Sequence, residues 1–394
     1  MQFGMENLEL ILLTAAVVAM LTRKLHIPYS VGLVTTGILL SIFSVRLDIS
    51  LTKELIFSLL LPPLIFEAAF FLHWKELRQD FLVICTLASI GVTLSAAVTA
   101  IGMHYLAGWE WMGALVFGVL IAATDPVSVI ATFKEAGVKG RLRILVEAES
   151  LFNDGVAAVL FGVAIAVAAG QEITPTYISL ALIQTVGGGI ACGAFVAWVI
   201  LFLAGRTTDH LVEITFTTVA AYGSFLLAEH FHLSGVLATL TAGLMMGNIG
   251  PKGAISPKGH EAVEAFWEHV AFVANSFIFL LIGVREAQQH FMDLWAAILI
   301  AIVLVMIGRA VAIYPTCQLF SGRQSQVSMR HQHVLVWGGL RGALALALAL
   351  GLPDNLPHHD EIITVAFAVV AFSIFAQGLT MTPLLRRMGE LKNE

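Results

Sequence analysis

The chain has 394 residues, of which 58% are hydrophobic and only 12% are charged, and its formal net charge is −6. Soluble domains carry roughly 25% charged residues, so too few charges are present here to cover a surface in contact with water. This composition excludes a soluble protein and predicts membrane lipid as the surrounding solvent. It gives no reason to expect a nucleic-acid partner.

Apolar residues fall in runs of about 20, the length that a helix needs to cross a hydrocarbon core of about 30 Å. Glu6 and Glu9 lie near the start of the chain, where a removable signal peptide needs basic residues, so we expect the first run to be a permanent span. No stretch is polar enough for a separate soluble domain, and residues 1–394 are interpreted as one transmembrane unit. The sequence predicts thirteen spans, near 8–25, 27–45, 54–72, 80–106, 112–133, 142–169, 176–204, 209–230, 233–249, 262–284, 291–320, 331–351 and 361–385.

Positive charge is distributed unevenly between the two sides of this arrangement. If the N-terminus lies outside, the outer loops keep only Arg46, Lys53 and Arg285 of the 21 lysines and arginines, while Arg309 and Arg341 lie inside spans. Cytoplasmic loops are enriched in Lys and Arg, so the pattern predicts an N-out, C-in orientation in the inner (plasma) membrane.

The fifth and twelfth spans carry helix-breaking residues in mid-membrane. In the fifth, Pro126 has no N–H, so the carbonyl of Ala122 should lose its helical partner, and Asp125 before the proline resists helical angles. The two spans are seven apart and therefore run in opposite directions. This is the relation expected of inverted repeats with broken helices at the binding site.

The twelfth span contains the sequence Gly338-Gly339-Leu340-Arg341-Gly342. Its glycines permit an unwound backbone, and Arg341 could neutralise free carbonyl groups where two broken helices meet. A packing seam with a snorkelling arginine is the alternative.

Charges at membrane depth cost roughly 2.5–3.5 kcal/mol each on insertion scales, so each needs a reason. Glu149, Ser150, Asn153 and Asp154 share one face of the sixth span, since a helix turns about 100° per residue. A hydroxyl and a carboxylate one turn apart can offer oxygen ligands to a hard cation. A polar seam between helices remains the alternative for Glu149 and Asn153. The charged residues predicted at membrane depth are Glu67, Asp125, Glu149, Asp154, Arg309 and Arg341.

The chain resembles the sodium/proton exchangers of the monovalent cation:proton antiporter-1 family, of the bacterial and archaeal type without a long cytoplasmic tail. The resemblance rests on five segments in order: 27–29, 61–67, 124–127, 149–155 and 338–343. It implies thirteen helices in inverted six-helix repeats with two crossed half-helices, and a homodimer. A mobile core near 80–169 and 291–385 would move against a scaffold made of the remaining spans.

The resemblance also implies roles for individual residues. Asp154 would bind cation and proton alternately beside Asn153, and Ser150, Glu67 and the Thr124 carbonyl would complete the cation shell. In addition, Asp125 would lie near the crossing with Arg341, and Arg309 would pair with Glu149.

The sequence thus predicts electroneutral exchange of one Na⁺, and also Li⁺, for one H⁺, with no cofactor. A potassium/proton antiporter on the same fold is the first alternative, because oxygen ligands alone do not decide cation selectivity. A sodium-coupled organic-solute symporter and a channel are further alternatives. An enzyme is not expected, since HExxH, GxSxG and Walker motifs are missing from the sequence.

Overall fold

The structure is a computed structural model that describes residues 5–25, 27–43, 51–125, 129–130, 133, 138, 140–170, 175–322 and 325–390. Every regular element longer than one turn in these ranges is a helix, as the sequence predicted. The helices are α1 (Met5–Leu25), α2 (Tyr29–Ile42), α3 (Leu55–Phe71), α4 (Trp74–Ala107), α5 (Trp111–Leu120), α6 (Arg141–Ala168), α7 (Pro175–Ala204), α8 (His210–His230), α9 (Gly235–Ile249), α10 (Pro257–Glu286), α11 (Phe291–Gln318), α12 (Met329–Trp337), α13 (Ala343–Leu350) and α14 (His359–Met388).

Seven of the described helices, α4, α6, α7, α8, α10, α11 and α14, are long and apolar enough to cross a membrane. The helices α2, α3 and α5 are shorter but also apolar. Each of the thirteen predicted runs contains at least one described helix. The number of membrane crossings and their orientation remain predictions.

The fifth and twelfth predicted runs are interrupted helices. The helix α5 ends at Leu120 and residues 123–125 are not helical, while residues 338–342 separate α12 from α13. The two interruptions meet, because the Asp125 backbone N–H donates to the Leu340 carbonyl at 2.7 Å. Pro126, to which we attributed the first interruption, lies outside the described residues.

The helices pack in two groups. In one, α4 lies between α5 and α11, and α6 packs against α4 and α5. In the other, α9 packs against α3, α7 and α8, while α10 packs against α2 and α3. A separate buried cluster holds the second group together around Phe66 and Trp267, whose rings are 4.6 Å apart. The helix α6 also contacts α3, α7 and α9, so it lies at the boundary between the groups.

Small residues let α7 and α9 approach closely. A β-carbon at Gly193 would lie against the backbone of Ala238, whereas one at Gly187, two turns earlier in α7, would meet nothing within 4 Å. Helix association in membranes depends on such contacts, because lipid offers no hydrophobic driving force between helices.

We therefore expect Gly193→Ala to destabilise the protein by about 1–3 kcal/mol, because the added methyl group must push two backbones apart. Thermal unfolding of the purified protein in detergent measures this as a lower midpoint temperature. Gly187→Ala is the matched control, and its midpoint should be unchanged or slightly higher. Equal midpoints for the two variants would contradict the close approach.

Candidate cation site

The carbonyl end of α5 is neutralised by an arginine from the other interrupted helix. Arg341 is only 1% exposed, and its Nη1 donates to the carbonyls of Ala122 (2.5 Å) and Ala123 (3.0 Å). The end of a helix carries unsatisfied carbonyls and partial negative charge, so a buried guanidinium is favourable here. The carbonyl that should lose its helical partner, that of Ala122, thus accepts from Arg341.

A glycine makes the approach of the two interrupted segments possible. The Asp125 carboxylate lies so close to Gly342 that a β-carbon there would collide with it. Since any other residue would displace the carboxylate, Gly342 allows Asp125 to sit at the crossing.

The polar face of α6 divides between two environments. Glu149 points toward α11, where Arg309 donates two hydrogen bonds of 2.7 Å to its carboxylate. The same guanidinium donates to the Leu335 carbonyl from Nε at 3.2 Å and from Nη2 at 3.1 Å. Both charged residues are buried, at 1% exposure for Glu149 and 5% for Arg309. The pair is therefore a closed, neutral unit that ties α6 to α11 and α12.

Asn153 and Ser150 connect this ion pair to the crossing. Asn153 Nδ2 donates to Glu149 Oε1 at 3.3 Å and to Thr124 Oγ1 at 3.2 Å. Thr124 Oγ1 also shares a hydrogen bond of 3.0 Å with Ser150 Oγ. All four side chains are buried. The network holds the non-helical segment of residues 123–125 against α6.

Asp154 faces the other way, into a cavity of about 420 Å³. Its Oδ1 is buried and has no hydrogen-bond partner among the described residues. Glu67, Thr124 and Asp125 line the same cavity, whereas Ser150 is not among its lining residues. Four of the five predicted cation ligands therefore share one cavity, and Ser150 lies behind Thr124.

The cavity offers carboxylate, hydroxyl and carbonyl oxygens, which suit a hard cation. Among the residues that the structure describes, no group of three or more His, Cys, Asp or Glu side chains could hold a metal ion. A cation at Asp154 would thus not be enclosed by a cage of acids, and it could exchange more readily than one held in that way.

The wall of the cavity becomes more charged away from the crossing. Arg23 at the end of α1, Arg143 and Glu147 at the start of α6, and Glu268 of α10 all line it. Arg143 Nε contacts Glu147 Oε2 at 3.3 Å. The cavity therefore extends from Asp154 toward the face of the protein that carries Arg23 and Arg143.

Three buried acids were not identified from the sequence. Asp80 pairs with Arg141 through contacts of 2.8 and 2.6 Å, and Glu213 accepts from the N–H (2.8 Å) and hydroxyl (3.0 Å) of Ser256 at the start of α10. Glu286, near the end of α10, is 3% exposed. All three lie near span ends, where charges are usually solvated. Only the Ser256-Pro257 helix start could have suggested a capping acid.

Removal of Arg309 should leave Glu149 buried without its charged partner. We expect Arg309→Ala to destabilise the protein by about 3–5 kcal/mol, as is typical when one member of a buried ion pair is deleted. Thermal unfolding in detergent measures the loss. Arg285→Ala, which removes an exposed arginine, is the control and should unfold near the wild-type temperature. A stable Arg309→Ala variant would mean that Glu149 does not need this partner.

Comparison with known proteins bears on the family to which the chain belongs. The family described as "Sodium/hydrogen exchanger, transmembrane" matches residues 11–387. The chain is 39% identical to the Na⁺/H⁺ antiporter ApNhaP of Aphanothece halophytica, over 98% of this chain and 75% of that protein. It is 32% identical to the Na⁺/H⁺ antiporter NhaH of Halobacillus aidingensis, over 96% of each chain.

The fold is also shared with a solved structure, that of the sodium/proton antiporter MjNhaP1 from Methanocaldococcus jannaschii. The TM-score is 0.77 over 99% of both chains, at 19% sequence identity. The family match covers nearly the whole chain, and the resemblance found in the sequence is confirmed. This chain is a member of the sodium/hydrogen exchanger family of integral membrane proteins.

Proposed function

We propose that the protein is a sodium/proton antiporter of the cell inner membrane that exchanges one Na⁺ for one H⁺ at Asp154. One observation carries the proposal: Asp154 lines a cavity and its buried Oδ1 has no hydrogen-bond partner in the described part of the chain, while Glu149 on the same helix is paired with Arg309. The relatives that are named Na⁺/H⁺ antiporters support the same activity.

The cost of burying charge couples the two ions. An uncompensated carboxylate in a low-dielectric interior is unfavourable, so Asp154 must carry either a proton or a cation when the site changes sides. The two ligands compete for one group, and an empty, charged site rarely crosses. Thr124, Asp125 and Glu67 would add oxygen ligands to Na⁺, and Ser150 would hold Thr124 in place. The site needs no bound cofactor.

Electroneutral exchange follows if Asp154 is the one group that alternates between Na⁺ and H⁺. Asn153 beside Asp154 has no charge, and Glu149 and Arg309 cancel one another at 2.7 Å. In each cycle one positive charge moves in each direction, as Na⁺ one way and as H⁺ the other, so no net charge crosses the membrane.

The proposed architecture has thirteen spans with the N-terminus outside and inverted six-helix repeats crossed at the two interruptions. In this orientation Arg23 and Arg143 face the cytoplasm, so the Asp154 cavity is open to the inside. A core near 80–169 and 291–385 would move relative to a scaffold of the other spans in a homodimer. The packing of α4, α5, α6 and α11 apart from α3, α7, α8 and α9 supports this division.

Asp154→Asn should abolish exchange and leave the protein folded, because an amide occupies the same space but cannot exchange a proton for a cation. Proteoliposomes that contain a pH-sensitive dye measure proton flux on addition of Na⁺, Li⁺ or K⁺ chloride. Wild type should respond to Na⁺ and Li⁺, and a larger response to K⁺ would favour the potassium/proton alternative. Asp293→Asn, at an exposed acid, is the control and should keep normal flux. Normal flux in Asp154→Asn would refute the assignment.

One-for-one exchange should proceed at the same rate at any membrane potential. We expect proteoliposomes clamped with valinomycin and different K⁺ gradients to show the same initial rate of ²²Na⁺ uptake against a fixed pH gradient. Liposomes that contain Asp154→Asn set the background leak. A rate that changes several-fold over 100 mV would show that net charge crosses, since one elementary charge gains about 2.3 kcal/mol over that potential.

A further inference from the structure

A second cavity, of about 430 Å³, is lined on α6 by residues from Ala158 onward, whereas the first is lined on α6 by residues up to Asp154. Lys53, Glu229 and His232 supply its charged and titratable lining, and Ala158 and Gly162 of α6 form part of its wall. The Glu229 carboxylate accepts from the Gly235 N–H at 3.1 Å. The exchange reaction as described so far does not use this cavity.

Three helices line both cavities on successive turns. On α6, Asp154 lines the first cavity and Ala158 the second; on α13, Leu344 lines the first and Leu348 the second. On α3, the first cavity begins at Leu61, four residues after Phe57 of the second. Four residues of helix span about 6 Å, so the layer between the cavities is about one helical turn thick.

The layer between the cavities is apolar and fully packed. Ala157, Leu346 and Ala347 are 0% exposed and Leu60 is 7% exposed. Such a layer excludes water and ions at its present packing density, but its thinness means that a small movement could open it.

One side chain of the second helix group lies against α6 at the residue next to Asp154. Leu237 of α9 is 4% exposed and rests on Gly155, where a β-carbon would collide with the end of the leucine side chain. Ser234 at the start of α9 accepts from the Leu237 N–H at 3.2 Å and itself lines the second cavity. The contact therefore joins α9 to α6 at the residue that follows Asp154.

We infer that the second cavity is the other half of the transport path, and that Leu237, seated on Gly155, is the barrier between it and Asp154. This inference rests on the exchange proposed above. When α6 slides relative to α9, Gly155 moves from beneath the leucine and Asp154 gains access to the second cavity. Because Gly155 has no side chain, Leu237 packs directly against the α6 backbone. A short movement is therefore enough to open the path.

Thiol labelling tests the path without requiring transport. Single cysteines are placed at Ala68, in the first cavity, and Ala158, in the second, after replacement of Cys85, Cys192 and Cys317 by alanine. A membrane-impermeant, positively charged methanethiosulfonate is added to one face of oriented vesicles. We expect Ala68→Cys to react mainly from the face that carries Arg23, and Ala158→Cys mainly from the opposite face.

The barrier is tested by adding Leu237→Ala to the Ala68→Cys protein. We expect labelling from the opposite face to become at least tenfold faster, because no side chain at Gly155 can fill the gap. Leu240→Ala is the matched control, since Leu240 is equally buried on α9 (4% exposed), whereas the atoms nearest a β-carbon at Gly155 all belong to Leu237. Leu237→Val should give a smaller increase and serves if the alanine variant does not fold.

The inference is overturned if both cysteines react from the same face, if Ala158→Cys is unreactive from either face, or if the two alanine variants accelerate labelling equally. If Na⁺/H⁺ exchange is normal, any of these results would refute the proposed path and leave the proposed function standing. Two-sided labelling with no exchange in the wild type would instead refute the proposed function.

Discussion

The cost of a charge in a low-dielectric interior is the constraint on which this structure depends. Arg309 and Glu149 meet it by pairing with each other, and Arg341 meets it by donating to two backbone carbonyls. Asp154 takes part in none of these contacts, and its Oδ1, like Nε of Arg341 and Oε1 of Glu286, has no hydrogen-bond partner in the described part of the chain. A group that the protein leaves uncompensated is one that a mobile ligand can neutralise.

The interrupted helices are subject to the same constraint, because their free backbone groups must also be compensated. Backbone that leaves a helix inside a membrane exposes polar groups, and these are tolerated only where the protein satisfies them or a water-filled cavity does. Here Arg341 satisfies the carbonyls of α5, the Asp125 N–H pairs with Leu340, and Thr124 joins the α6 network. On the side of the ion pair the crossing is held by hydrogen bonds, and on the side of Asp154 it borders the first cavity. This asymmetry separates the structural residues of α6 from the residue that would bind ions.

The position of α6 links this chemistry to movement. It packs with α4 and α5 on one side and touches α3, α7 and α9 on the other. Two cavities approach each other along it within about one helical turn, a rise of about 5.4 Å. A shift of that order between the helix groups could change the side from which Asp154 is reached, without any change in its immediate ligands.

The sequence alone predicted the helical class, the family and the two interruptions, because hydrophobic run length and helix-breaking residues such as Gly338 and Gly339 act locally along the chain. It also singled out Asp154, since a charge in the middle of an apolar run is evident without coordinates. Whether a polar residue of α6 faces Arg309, Thr124 or a cavity depends on neighbours more than 20 residues away. Helical periodicity alone therefore does not show which residue of the polar face contacts which neighbour. For the same reason the sequence missed the burial of Asp80 and Glu213, which lie near span ends and are enclosed only by tertiary contacts with Arg141 and Ser256. The cavities and the contact of Leu237 with Gly155 exist only between packed helices, so tertiary structure alone decided them.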